Sequence, residues 1–118
     1  GEEYEGNWVN YRKNGYGIMK YSDGKIYQGG WKNDQREGLG LLFLPNKDIV
    51  EGTWINDALQ PQVKIQYRNG DIYYGEIDLE SFKKQGPGFL AKSNGDSYSG
   101  DWDHDKIWRK NDMMCQLF

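Results

Sequence analysis

Apolar and polar residues alternate along this chain, in runs broken about every dozen residues by polar turns. The stretch YEGNWVNYRKNGYG, residues 4–17, returns as YQGGWKNDQREGLG, residues 27–40, with matching residue types at matching offsets. Aligned on Tyr-x-Gly-x-Trp, the motif starts at residues 4, 27, 50, 73 and 98, so the spacing is 23 three times and then 25. Val50 replaces the Tyr of the third copy and Ile77 the Trp of the fourth, and the two extra residues fall within DLESFKKQ, residues 78–85. Period-two alternation with regular turns predicts β-hairpins. The repeats lie near 4–26, 27–49, 50–72, 73–97 and 98–118, a single module over residues 1–118 with a divergent C-terminal end. An opening at Gly1, directly on a repeat and without Met, reads as a piece of a larger protein.

The first, second and fourth motifs are followed by Gly-x-Gly (Gly15/Gly17, Gly38/Gly40, Gly86/Gly88) and the third by Pro61/Val63, each then by a turn, SDG, PNK, SNG and RNG respectively in these four; the fifth lacks Gly-x-Gly after Trp102. Three-residue hairpin loops end on a residue in left-handed conformation. Gly24, Gly70 and Gly95 suit that place, and Lys47 departs from it. Such loops make Gly15 face Trp31, Gly17 face Gly29, Gly38 face Trp54, Gly86 face Trp102 and Pro61 face Ile77. The first glycine of each pair is expected to make room for the indole across from it. The next row is apolar: Met19–Tyr27, Leu42–Val50, Ile65–Tyr73 and Leu90–Tyr98. The predicted fold is all-β, an elongated single-layer twisted antiparallel β-meander of stacked hairpins, roughly ten strands and about 45 Å long.

One face of this sheet carries Tyr4, Trp8, Tyr27, Trp31, Trp54, Tyr73, Tyr98 and Trp102. These rings are expected to line a groove for a partner segment, with the edges of Tyr4, Tyr27, Tyr73 and Tyr98 most exposed. The other face is mostly polar, but Ile18, Leu39, Leu41 and Phe43, next to Tyr16, form a second apolar patch. Apolar residues on both faces of a strand call for a cover. The expected cover is a second copy of the chain or a partner protein. The tail, with Ile107, Trp108, Met113, Met114, Leu117 and Phe118, is expected to cap its own end locally.

Composition narrows the chemistry. Hydrophobic residues make up only 36%, yet aromatics reach 15%, so the core must be built from rings. The net charge of −3, with lysines and arginines dispersed, lacks the clustered basic face of a nucleic-acid binder. A single Cys115 fits a reducing, cytoplasmic setting. His104 is the only histidine and Cys115 has no neighbour to activate it, so no catalytic residue is assigned, and no cofactor is called for. Asp101, Asp103, Asp105 and Asp112 have the spacing of a calcium loop. Lys106 stands where that loop needs glycine, so they are read as strand-flanking residues and no metal is assigned.

The stretches YEGNW…GYG…YSDG, YQGGW…GLG and YSGDW resemble the MORN repeat (membrane occupation and recognition nexus), over about residues 3 to 102. The resemblance implies a non-catalytic scaffold that holds a helix or extended peptide of a partner. It also implies a place at the cytoskeleton, cilium or membrane periphery, or a regulatory role beside a kinase or methyltransferase domain. Phospholipid head-group binding is the alternative. It ranks lower because Arg12, Lys13, Lys32, Arg36, Lys83 and Lys84, expected in loops, alternate with acids. The choline-binding repeat shares the glycine–aromatic pattern but uses adjacent aromatics as a cation cage. Only Tyr73 and Tyr74 are adjacent here.

Overall fold

The computed structural model describes residues 1–110, which form eleven strands and no helix. They fall into two compact units, Gly1–Gln60 and the part from Pro61 onward. The first unit holds β1 (Glu3–Val9), β2 (Arg12–Lys20), β3 (Ile26–Lys32), β4 (Gln35–Phe43), β5 (Ile49–Ile55) and the two-residue β6 (Ala58–Leu59). The second holds β7 (Gln62–Gln66), β8 (Ile72–Ile77), β9 (Lys84–Ala91), β10 (Ser97–Asp103) and β11 (Lys106–Lys110). In each unit, strands adjacent in sequence pair antiparallel, which makes both of them meanders of hairpins.

Two kinds of turn alternate, and each follows from its residues. Loops 22–24, 45–47, 68–70 and 93–95 end on a residue of positive φ: Gly24 at 95°, Lys47 at 80°, Gly70 at 97° and Gly95 at 98°. In all four an Asp or Asn at the middle position accepts the backbone N–H two residues on, as Asn46 does from Asp48 at 2.9 Å. The other kind has two residues, both of positive φ: Asn10-Tyr11, Asn33-Asp34, Asn56-Asp57 and His104-Asp105. Such type I′ turns match the right-handed strand twist, and Asn and Asp tolerate the left-handed region better than other side chains. Between β8 and β9 a longer loop, Asp78 to Lys83, takes up the two extra residues of the fourth repeat.

The register is the expected one. Gly15 faces Trp31, Gly38 faces Trp54 and Gly86 faces Trp102, and the Ile77 N–H donates to the Pro61 carbonyl. The reason for the first glycines differs from the expectation. A Cβ at Gly38 would meet nothing within 4 Å, and one at Gly15 or Gly86 would meet Asn7 or Glu76 rather than an indole. These glycines sit instead where the ladder skips. Gly6 pairs Gly17 but Trp8 pairs Lys13, so Asn7 alone opposes residues 14–16; the same skip opposes Gly30 to 37–39 and Glu76 to 85–87. A bulge of this kind needs a left-handed residue, and Gly15, Gly38 and Gly86 have φ of 95°, 84° and 89°.

Candidate functional site

The second glycine of each pair is the one that makes room, and it does so for a tyrosine. A Cβ at Gly40 would lie 2.5 Å from the Tyr27 ring, and one at Gly17 or Gly88 would run into the ring of Tyr4 or Tyr73. Each tyrosine thus folds across the adjacent strand's glycine. Its hydroxyl then donates to the carbonyl three residues on: Tyr4 to Asn7 at 2.9 Å, Tyr27 to Gly30 at 2.9 Å and Tyr73 to Glu76 at 2.6 Å. The tryptophan two residues after the motif glycine reaches back the other way. The Trp31 indole donates to the Gly17 carbonyl at 3.2 Å, and that of Trp102 to Gly88 at 3.1 Å.

Rings of successive repeats meet edge to face. Tyr4 packs on Trp31 at 5.3 Å, Tyr27 on Trp54 at 4.9 Å and Tyr73 on Trp102 at 6.0 Å, all near perpendicular. This is the favoured aromatic geometry, worth about 0.5–1.5 kcal/mol per pair beyond burial. A cation completes each cluster. Lys13 lies over Tyr4, Trp8 and Trp31, Arg36 over Tyr21 and Tyr27, and Lys84 over Tyr67, Tyr73 and Trp102. The aspartate of the next type I′ turn holds it there. Asp34, Asp57 and Asp105 accept the backbone N–H of Lys13, Arg36 and Lys84 at 2.8, 3.1 and 2.8 Å, and pair with their side chains as well.

This geometry corrects two expectations and leaves the second apolar patch open to a cover from outside. Tyr27 and Tyr73 are wholly buried, and Trp31, Trp54 and Trp102 nearly so, so these five are core and do not present exposed ring edges. Burial pushes the Tyr27 and Tyr73 hydroxyls up to about 12. Within the aromatic series Trp8 is exposed, and Tyr4 and Tyr98 are half-buried. Lys13, Arg36 and Lys84 lie on strands rather than in loops, and are committed to aspartates and rings. The second apolar patch is not buried within the chain: Leu39 is 76% exposed, and Ile18, Leu41 and Phe43 are half-buried.

That patch has a defined layout. Tyr16 faces Gly30 and Leu39 faces Thr53, while Ile18 and Leu41 flank Gln28 across β2, β3 and β4. Phe43 stands between Ile26 and Ile49, beside a concavity of about 370 Å³. Tyr16 on β2 and Ile55 on β5 add further exposed apolar surface. Of the calcium-like aspartates, Asp103 contacts His104, Asp105 holds Lys84, and Asp112 lies outside the described residues. Met113, Met114, Cys115, Leu117 and Phe118 lie outside them too.

A glycine under a tyrosine and a bulge at Gly-x-Gly recur at one period in β1 to β4, and Trp31 reaches back to the Gly17 carbonyl. Residues 4–26 and 27–49 match the MORN repeat family. No curated protein matches the chain significantly. MORN repeats are commonly modules for protein or membrane interaction, and the MORN family is generally non-catalytic. The contacts among tyrosine, glycine and tryptophan explain why these residues return at fixed offsets. The clamp of a basic residue by an aspartate 21 positions later was not foreseen, although Lys13/Arg36 and Asp34/Asp57 also recur at the 23-residue period.

Proposed function

We propose that this chain is a non-catalytic protein-interaction module that binds its partner through the apolar face of β2, β4 and β5. The observation that carries this reading is Leu39. It is a large aliphatic side chain, three-quarters exposed, among Tyr16, Ile18, Leu41 and Phe43 on a face otherwise built of Gln28, Glu51 and Thr53. A contiguous apolar patch on a polar face marks an interface. The aromatic ladder serves as the rigid support for that face, and Trp8, Tyr4 and Tyr98 are its remaining accessible rings. The same tyrosine–glycine and lysine–aspartate arrangement at Tyr73, Gly88, Lys84 and Asp105 supports reading the residues beyond 49 as further repeats of this kind.

Phospholipid binding ranks second. Three of the six basic residues that would have served it, Lys13, Arg36 and Lys84, are tied to aspartates and rings. The occupant favoured for the apolar face is a second copy of the chain, since three large side chains there would contribute about 1.5–3 kcal/mol each on burial. A photo-crosslinking residue at Leu39, with Gln62 as control position, tests this together with sedimentation. Dimers crosslinked from position 39 alone, and dissociated by Leu39→Asp, are expected. A monomer with no position-specific adduct, or with stable attachment to anionic vesicles instead, overturns the reading.

A further inference from the structure

The four three-residue hairpin loops share one build, and one of them departs in sequence. Residues 43–47 read FLPNK, where the corresponding stretches read KYSDG (20–24), QYRNG (66–70) and AKSNG (91–95). Phe43 stands in the place of Lys20, Gln66 and Ala91, Pro45 in that of Ser22, Arg68 and Ser93, and Lys47 in that of three glycines. At a φ of 80° a lysine is less stable than glycine, so the turn itself gives no reason for Lys47. All three residues border the same concavity of about 370 Å³, on the face away from the rings. Its floor is the row Ile26, Phe43 and Ile49, which face one another across β3, β4 and β5. Pro45 walls it and packs against the neighbouring loop, where a Cβ at Gly24 would lie 3.3 Å from the proline ring. The corresponding row of the second unit is Ile72, Ala91 and Ser97, which builds no such floor.

Two charged residues border the concavity, and they differ in role. Asp48 belongs to the turn: its carboxylate accepts the Asn46 amide at 3.0 Å, as Asp71 and Asp96 accept those of Asn69 and Asn94. Lys47 is exposed, and among the described residues its ammonium makes no ion pair, unlike Lys13, Lys25, Arg36 and Lys84. We propose that this concavity binds a small amphiphilic anion, a medium-chain aliphatic carboxylate, with its hydrocarbon chain over Ile26, Phe43 and Ile49 and its head group at the Lys47 ammonium. The floor side chains carry no hydrogen-bonding group, so they suit a tail without polar atoms. The volume lies at the lower end of small-ligand sites, which fits a single short chain. Lysine is a compact point charge on a flexible stem, so it meets one anionic head without asking for bidentate geometry. A bilayer surface fits less well, because it keeps the tail, presents the head group and is held by several clustered basic residues. The site adjoins the apolar face at Phe43 but does not rest on the reading of that face.

The probe is octanoate, titrated into the whole chain below its self-association and followed by backbone amide shifts in NMR, with octanol as its uncharged counterpart. Saturable shifts centred on residues 43–49 are expected, with octanoate bound about fivefold more tightly than octanol, the worth of one opposite charge near 4 Å in water. Lys47→Gly should erase that preference. Glycine suits the left-handed position, so this variant folds at least as well as the parent and its loss of binding is not unfolding. Phe43→Gln, which installs the residue that Gln66 supplies at the corresponding place, should abolish binding of both probes. Leu39→Asp should leave octanoate binding unchanged, which separates this site from an interface with a second copy. Equal affinity for octanol and octanoate in the parent overturns the proposal, as does undiminished octanoate binding by Lys47→Gly or its loss in Leu39→Asp. Attachment to anionic phospholipid vesicles that depends on Lys47, without binding of octanoate, overturns it in favour of a membrane head group.

Discussion

Two glycines two residues apart, Gly38 and Gly40, do different jobs, and mutation should separate them. Gly40 lies under the Tyr27 ring, so Gly40→Ala forces overpacking in a filled core and should cost about 1–3 kcal/mol. Gly38 has open space where a Cβ would stand, but its φ is 84°. Gly38→Ala should therefore cost about 1 kcal/mol for the backbone conformation alone, and Gly38→Asn less, because Asn enters that region more easily. Denaturant midpoints of the three variants check the order. The tyrosines give a second test at this scale. Burial raises the Tyr27 and Tyr73 hydroxyls to about 12, so their neutral forms stabilise the fold. For a raised pKa that stability is complete below the ordinary tyrosine value, near 10, and is lost as pH rises through the folded value. Tyrosinate absorbance should show two tyrosines titrating last, together with alkaline unfolding.

At the scale of turns and strands, the three-residue loops were legible because Asp-Gly and Asn-Gly leave few alternatives. Lys47 is the one non-glycine at their left-handed position, and Lys47→Gly should stabilise by about 0.5–1 kcal/mol, read as a raised melting temperature. The register was legible as well, since loop length fixes pairing and the pairing put Gly15 on Trp31. The bulges were not. Counting back from a loop cannot show that Asn7 opposes three residues, so the role of Gly15 and Gly38 was assigned to packing when it is conformational. Asp71 adds a pH test. The backbone N–H of Ser93 bonds its carboxylate at 2.9 Å and holds its pKa below the usual value. Stability from a depressed carboxylate is present above its unfolded pKa and disappears as pH falls through the folded one. Asp71→Asn should be less stable than the parent at neutral pH and flatten the loss in acid, followed by circular dichroism.

Across the molecule, the sequence showed which residues share a face but not which would be covered. Alternation placed Tyr27, Trp31, Trp54, Tyr73 and Trp102 together; only the folding of each tyrosine over a glycine, with a lysine or arginine above, shows them to be buried. Leu39 was legible as apolar on the polar face, and its exposure appears only once β4 is seen with nothing in its own unit lying over it. The rings lie inside, and the recognition surface proposed for this chain lies outside them. Indole hydrogen exchange, followed for each tryptophan by NMR on the unaltered chain, tests this most directly. Protected N–H groups at Trp31 and Trp102, bonded to the Gly17 and Gly88 carbonyls, beside rapid exchange at the exposed Trp8 are the predicted result. Rapid exchange at Trp31 and Trp102, matching that of Trp8, would contradict it.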